Sequence, residues 1–413
     1  MAKKMKHGVN SSEMQKTNRT LVFKALLENN GITRTELASE MGLQKATITN
    51  IVNSFNEIGI VSGDGESVTG RRGEKLFLKL DGLYIMSIGI TRKDYEIGMM
   101  SMFGERVDYI HYFFEKDEGM DSIIGKMQKD SMNFLEKYGR NKVVGICLAV
   151  PGLFVKDPEK GSEMYIVTEF EELNKINIHK EMEEALGKPV FIKHDAKLSA
   201  YAEWKHSKET RENAKASLII IRSRGYGVGA GIVINGNIIE GQLGIAGEVG
   251  YTGIDYKSRN LPETDCGALE FCAGTESTVR YVNERLFEFP NSPLTSESSY
   301  KEILEAYKKG DELATWAIDK LAWMLGYGIS NIIYTINPDC VILGADYPDT
   351  EDFLEKVRAA ACRRIPLPLR KYVNIRFSEL SEDSFMLGGF YYVLEQLYKK
   401  DIIATIRTAL DID

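Results

Sequence analysis

Residues 143–152 read VVGICLAVPG: an uncharged run from Val143 to Val150, closed by the rigid turn Pro151-Gly152. A continuous apolar run of this length predicts a strand buried on both faces, as strands are in parallel sheets covered by helices. Ser217-Leu218-Ile219-Ile220-Ile221 and Val341-Ile342-Leu343-Gly344 have the same character, and helical segments such as His179 to Leu186 and Leu321 to Ile333 lie between them. From Tyr84 onward the pattern is therefore α/β, strands alternating with helices. A chain of 413 residues exceeds one ordinary core, which predicts two or three compact units.

The residues before Tyr84 follow another rule. Leu21, Val22, Ala25 and Leu26 recur at helical spacing until Asn29-Asn30-Gly31 stops them. Thr33-Arg34-Thr35-Glu36 is a capping box, in which the Thr33 hydroxyl and the Glu36 carboxylate satisfy donors of the first turn. The helix it opens turns Leu37, Ala38 and Met41 inward, and Gly42 permits a tight turn into a third helix. There Ile48, Ile51, Val52, Phe55 and Ile58 make one apolar face. The positions pointing elsewhere are Gln44, Lys45, Ala46, Thr47, Thr49, Asn50 and Asn53, with no acid among them. Small uncharged or basic side chains suit a helix that enters a DNA major groove, where a carboxylate would repel phosphates. After Gly59-Ile60-Val61, two short extended runs flank a glycine-rich tip in which GRRG places Arg71 and Arg72, as in a wing whose arginines reach phosphates or a minor groove. The alternative reading of this unit is a small helical domain that binds another protein.

Charge separates the same two regions. The net charge is −8, but residues 1–80 carry 12 Lys and Arg against 8 Asp and Glu, leaving −12 on the rest. A basic head can approach a phosphate backbone that the acidic body avoids. No apolar run approaches the roughly 20 residues needed to span a bilayer, and MAKKMKHGVNSSEMQ lacks the apolar centre of a signal peptide. A cytoplasmic protein without membrane insertion is expected. The five cysteines (Cys147, Cys266, Cys272, Cys340, Cys362) are scattered, with no C-x-x-C pair, and read as reduced, buried, apolar residues.

Several motifs of the body carry potential chemistry. Gly152 ends a buried strand where its backbone can approach a ligand without a Cβ. Asp195 follows the strand Val190-Phe191-Ile192, where a lone Asp reads as a helix cap. Gly225-Tyr226-Gly227-Val228-Gly229-Ala230-Gly231 is a glycine-rich loop running into a strand, of a kind that exposes amide donors.

With these motifs in order, from the winged helix through GRRG, then VGICLAVPGLFVKD, GKPVFIKHDAKLSAYAEW, RGYGVGAGIVINGNIIEGQLGIAGEVGY and NPDCVILG, the whole chain resembles the ROK family (repressors, open reading frames and kinases), in particular its xylose-repressor and N-acetylglucosamine-repressor branch. The resemblance implies a winged helix-turn-helix domain (1–80) followed by a two-lobed actin-like ATPase, or sugar-kinase-like, body. The implied lobes are 81–193 and 194–413, the last helix returning to the first lobe. It implies a ligand cleft between lobes formed by Gly152, Glu169, His194, Asp195, Glu248, Tyr251 and Glu270, with Asp195 at the position of the kinase base.

The departures from the family pattern shape the functional expectation. Where family kinases open the body with Asp-x-Gly-x-Thr, this chain has Ser87-Ile88-Gly89-Ile90-Thr91, and the small Thr of the second phosphate loop is Tyr226. Both changes point to a disabled nucleotide site. Leu261, Glu263 and Ala268 stand where the family's zinc site has cysteines and Tyr251 where it has histidine, so no zinc is expected. The family's Asn-Asp-Ala-Asn has become His194-Asp195-Ala196-Lys197, and Glu169 stands near a pocket Asn, which alters the hydroxyls or charges welcomed. The expectation is a sugar-responsive repressor without ATP or zinc, binding double-stranded operator DNA and a sugar or sugar derivative as a homodimer or dimer of dimers. The alternative is an active sugar kinase with an added regulatory DNA-binding domain.

Overall fold

A computed structural model describes residues 11–64, 73–156, 163–166, 171–223, 227–254, 267–380 and 384–412. The head begins with α1 (Ser11–Glu28), followed by β1 (Ile32–Thr33), α2 (Arg34–Met41), α3 (Lys45–Glu57), β2 (Val61–Gly63) and β3 (Lys75–Leu78). The capping box at Thr33 and Glu36 is formed, and Gly42 closes α2 in the left-handed conformation. The three strands pair antiparallel in the order β1-β3-β2, which is the winged-helix arrangement. Three details differ from the sequence pattern. Leu21 is exposed, the inward residues of α1 being Val22, Phe23, Ala25 and Leu26. Ile58 is the half-buried C-cap of α3 rather than part of its buried face, and Met41 is only half-buried.

The body opens with β4 (Tyr84–Ile90), β5 (Asp94–Ser101) and β6 (Arg106–Phe113). These form an antiparallel meander, not strands alternating with helices. Next come α4 (Met120–Tyr138), β7 (Val143–Val150), the hairpin β8 (Leu153–Lys156) and β9 (Glu163–Ile166), α5 (Glu171–Asn174), α6 (Ile178–Leu186) and β10 (Val190–His194). They complete a five-stranded sheet, β10-β7-β4-β5-β6, whose first three strands are parallel.

The second sheet follows α7 (Asp195–His206) and α8 (Lys208–Glu212) and contains β11 (Ser217–Arg222), β12 (Gly229–Ile234) and β13 (Asn237–Ile238). After α9 (Ala268–Ala273), α10 (Ser277–Arg285), α11 (Tyr300–Lys308) and α12 (Glu312–Ile336), it gains β14 (Cys340–Leu343) and, past α13 (Glu351–Cys362), β15 (Ile375–Phe377). Its order is β13-β12-β11-β14-β15, again three parallel strands and two antiparallel ones. Two sheets of matching make-up are the two lobes of an actin-like fold.

The chain ends with α14 (Ser384–Lys400) and α15 (Ile402–Ala409). Helix α14 lies on β4 and β7 of the first sheet, α7 lies on β11 and β12 of the second, and the two helices cross between the sheets. Their approach is close: a Cβ on Gly388 of α14 would stand 1.9 Å from the Leu198 carbonyl oxygen of α7. One apolar core joins Val22, Phe23, Leu26 and Phe55 of the head to Phe390, Leu394 and Ile402 of the last two helices. Cys147 and Cys340 are buried, whereas Cys272 and Cys362 are half-buried, contrary to the sequence reading; Cys266 lies outside the described residues. Among the described residues no helix is long and apolar enough to cross a membrane.

Candidate functional site

Strands β7 and β10 are parallel neighbours with His194 opposite Val150, so their carboxyl ends open on the same side. That is where open α/β sheets place their ligands. Beyond β7 the chain turns through Pro151 and Gly152, the latter at φ +72°. Beyond β10, His194 caps α7 and Asp195 is its first residue. The second lobe closes the cleft with the segment 247–251, which is laid along β12. The Ala230 amide donates to the Gly247 carbonyl at 2.7 Å and the Gly250 amide to the Val228 carbonyl at 2.9 Å. This contact requires glycine: a Cβ on Gly247, at φ +100°, would stand 2.0 Å from the Ala230 oxygen, and one on Gly250 would stand 2.5 Å from Glu270 Oε2. The close approach is what delivers Glu248 to the cleft.

Gly152, His194, Asp195, Glu248, Tyr251 and Glu270 all line this cleft. Glu169 lies outside the described residues. His194 Nδ1 accepts a hydrogen bond from the Ala196 amide at 3.3 Å, so in the neutral ring Nε2 carries the proton and is directed toward Glu248 Oε1, 3.9 Å away. Asp195 Oδ1 accepts from the Ala196 amide at 2.6 Å. Glu270 is buried, its Oε1 accepting from the Gly267 amide at 2.7 Å and Oε2 from the Val228 amide at 3.3 Å. Its carboxylate thus ties the start of α9 to Val228 while lining the cleft. Tyr251 is at the exposed rim. Lys197 is buried and does not line the cleft; its ammonium donates to the Gly244 carbonyl, and burial holds its pKa below the usual lysine value.

Two arginines that sequence reasoning passed over also line the cleft. Arg92 comes from the β4–β5 turn, next to the segment noted for its missing carboxylate. Arg222 ends β11, and a charge closing the run Leu218-Ile219-Ile220-Ile221 was its only sequence signal. Its Nε and Nη2 donate to the two Asp346 oxygens at 2.5 and 3.0 Å, and its Nη1 to Ser199 Oγ at 2.9 Å and Ser384 Oγ at 3.1 Å. The Ser87 hydroxyl is buried and donates to the Met386 carbonyl at 2.9 Å. Tyr226 lies outside the described residues.

On the head, Gln44, Lys45, Ala46, Thr49, Asn50 and Asn53 are exposed and Thr47 is half-buried. Gln44 is the N-cap of α3 without a side-chain capping bond, and the Thr49 hydroxyl donates to the Lys45 carbonyl at 2.8 Å. Arg71 and Arg72 lie outside the described residues. Away from both surfaces, Asp94, Glu96 and His111 bring three metal-type donor atoms within 4.8 Å of one another on β5 and β6, His111 Nε2 standing 2.9 Å from Asp94 Oδ2. At the zinc positions named above, Tyr251 and Ala268 are described, while Leu261 and Glu263 are not.

The ROK family model matches residues 109–396. A xylose repressor of Caldicellulosiruptor bescii is 27% identical over 403 residues, covering 94% of this chain and 98% of that protein. Among solved structures, a ROK family transcriptional regulator described as a homolog of the E. coli MLC protein superimposes with TM-score 0.77 at 23% identity, over 95% of this chain and 99% of its own. A ROK family glucokinase from Streptomyces griseus, in complex with glucose and AMPPNP, superimposes with TM-score 0.60 at 19% identity, over 76% of this chain and 99% of its own.

Proposed function

Because the chain belongs to the ROK family, we propose that it is a sugar-responsive transcriptional repressor, whose head binds operator DNA and whose cleft binds a carbohydrate effector without phosphorylating it. The observation that carries this reading is extent. The likeness to a xylose repressor and to a transcriptional regulator runs through head and body, whereas the glucokinase fold matches about three-quarters of the chain. The acid-free exposed side of α3 supplies what the head needs to approach bases.

In the cleft, sugar hydroxyls donate to the Asp195 and Glu248 carboxylates, His194 Nε2–H donates to a sugar oxygen, and the Tyr251 ring covers the rim. Nucleotide chemistry lacks support on β4, where Ser87 offers no carboxylate for a metal and spends its hydroxyl on Met386. Tyr251 and Ala268 are not zinc ligands of the family's kind.

Occupancy reaches the head through α14. Arg222, in the cleft wall, holds Ser384 at the start of this helix. Near the other end of the helix, Glu395 pairs with Lys24 of α1 at 3.2 Å, and Tyr398 packs edge-on against Phe23. A ligand shifts the head only if it binds two lobe arrangements unequally. Two copies related by a two-fold axis would present two α3 helices to a near-palindromic operator.

The test uses the full-length protein. Genomic DNA fragments retained by it are footprinted, and a thermal-shift panel of mono- and disaccharides and their phosphates, D-xylose included, identifies the effector. The expected result is a stabilising sugar that changes DNA affinity and whose effect is lost in Asp195→Ala and Glu248→Ala. Sugar phosphorylation at an ordinary kinase rate, about 1–100 s⁻¹, would establish the kinase reading instead.

A further inference from the structure

A cavity of about 330 Å³ lies between α1 of the head and the body, away from the effector cleft. Its size falls at the lower end of ordinary small-molecule sites, about 300–1,000 Å³. Its apolar wall comes from Leu27 on α1, Met102 and Phe103 in the β5–β6 turn, and Phe390 and Leu394 on α14.

The polar groups around it are unevenly satisfied. Lys24 and Glu395 are paired with each other. The Tyr391 hydroxyl is hydrogen-bonded to His206 Nε2 at 2.8 Å. Glu28 is exposed at the rim. Lys205, on the α7 side, is half-buried and makes no hydrogen bond or ion pair among the described residues. Its ammonium stands 5.5 Å from the ring centres of Tyr201 and Trp204 and 5.9 Å from that of Tyr391. Burial holds its pKa below the usual lysine value, with Glu395 and Glu28 opposing. The three rings attract the half-buried ammonium, but it has no hydrogen-bond acceptor among the described residues, a place that the anionic group of a ligand can fill.

We propose that this cavity is a second ligand site, taking a small organic anion with an apolar body whose carboxylate or phosphate pairs with Lys205 while its apolar part packs on Leu27, Phe103 and Phe390. Such a ligand touches α1, α7 and α14 at once, so it acts where the head meets the body and independently of the sugar cleft.

The probes are benzoate, 1-naphthoate and phenyl phosphate, with neutral benzamide as control, titrated into the full-length protein by calorimetry and saturation-transfer NMR. The expected result is saturable binding of at least one aryl anion in the millimolar range or tighter, with benzamide weaker by about tenfold or more. Lys205→Met is expected to weaken the anion by about tenfold or more, Lys205→Arg to retain it, and Leu27→Trp, which fills the void from the head side, to exclude it. Asp195→Asn, in the sugar cleft, leaves it unchanged. No saturable anion binding, binding that survives Lys205→Met and Leu27→Trp, or binding lost in Asp195→Asn would each overturn the proposal. None of these outcomes depends on what the head or the sugar cleft binds.

Discussion

Arg222→Met tests the link between the cleft and the last helices. The native guanidinium grips Asp346 through two hydrogen bonds, and the side chains are only 6% and 11% exposed, so water does little to screen the pair. The substitution keeps most of the volume but leaves Asp346 with the Ser223 amide at 3.3 Å in place of a cation. It also leaves the Ser199 and Ser384 hydroxyls without their shared donor. Breaking one side of a buried pair costs about 3–5 kcal/mol. At roughly 2–4 °C per kcal/mol for a unit the size of one lobe, the melting transition should fall by roughly 6–20 °C. Urea unfolding followed by tryptophan fluorescence, with calorimetry alongside, measures the loss. Asp346→Asn should cost a similar amount, and the double variant much less than the sum because the two groups form one unit. A loss under about 1 kcal/mol for Arg222→Met, or strictly additive effects, would refute the reasoning. In the same variant, effector binding should no longer change DNA affinity, since Ser384 is no longer held from the cleft wall.

Further outcomes follow from other contacts. Gly247→Ala puts a Cβ 2.0 Å from the Ala230 oxygen at a φ of +100°, so the 247–251 segment must lift; the effector's thermal shift should disappear while DNA binding by gel shift persists. Asn50→Asp places a carboxylate on the exposed, acid-free side of α3 and should weaken DNA binding by about tenfold or more, read by fluorescence anisotropy; unchanged affinity would remove α3 from the interface. Burial lowers the folded-state pKa of Lys205, so between that value and the unfolded lysine value the folded protein holds fewer protons than the unfolded chain. Stability should therefore rise with pH through that alkaline window, and Lys205→Met should flatten the rise in denaturation midpoints.

The parts of this fold that could be read from the sequence are those whose cause is local. Thr33, Glu36 and Gly42 bound α2 by hydrogen bonds within a few residues, and the runs at 143–150, 218–221 and 341–343 are uncharged, almost wholly buried strands. The β4–β5–β6 meander was not legible because β6 turns Val107, Tyr109 and Phe113 outward, so its apolar residues do not mark a buried face. Leu21 misleads for a similar reason, being apolar and exposed. In the cleft, Asp195 and Glu248 sit in quotable motifs, but the role of Arg222 depends on residues 199, 346 and 384, which only the crossing of α7 and α14 brings together. Lys197 looked like part of the pocket by its neighbours in sequence, yet one helical step carries it to the Gly244 carbonyl instead.

Position 87 shows how the same strand serves two tasks. In family kinases its carboxylate works on the nucleotide side, whereas here Ser87 is 1% exposed and its hydroxyl donates to the Met386 carbonyl of α14. A Cβ on Gly389 would stand 2.9 Å from that hydroxyl, so α14 is seated directly on it. Phe385 fills the space above Gly89, where a Cβ would stand 2.3 Å from the ring. Restoring the family carboxylate by Ser87→Asp would therefore set an anion against a carbonyl oxygen in a dry contact and press its extra atoms on Gly389. The replacement of a donor by a buried, unmatched carboxylate should cost several kcal/mol, or drive the group to its protonated form. The expected variant is less stable by denaturant unfolding, has weakened contact between α14 and the head, and still shows no sugar phosphorylation with ATP and magnesium. A Ser87→Asp protein of native stability that phosphorylates a sugar would mean that α14 does not depend on this hydroxyl and that the nucleotide side had stayed open.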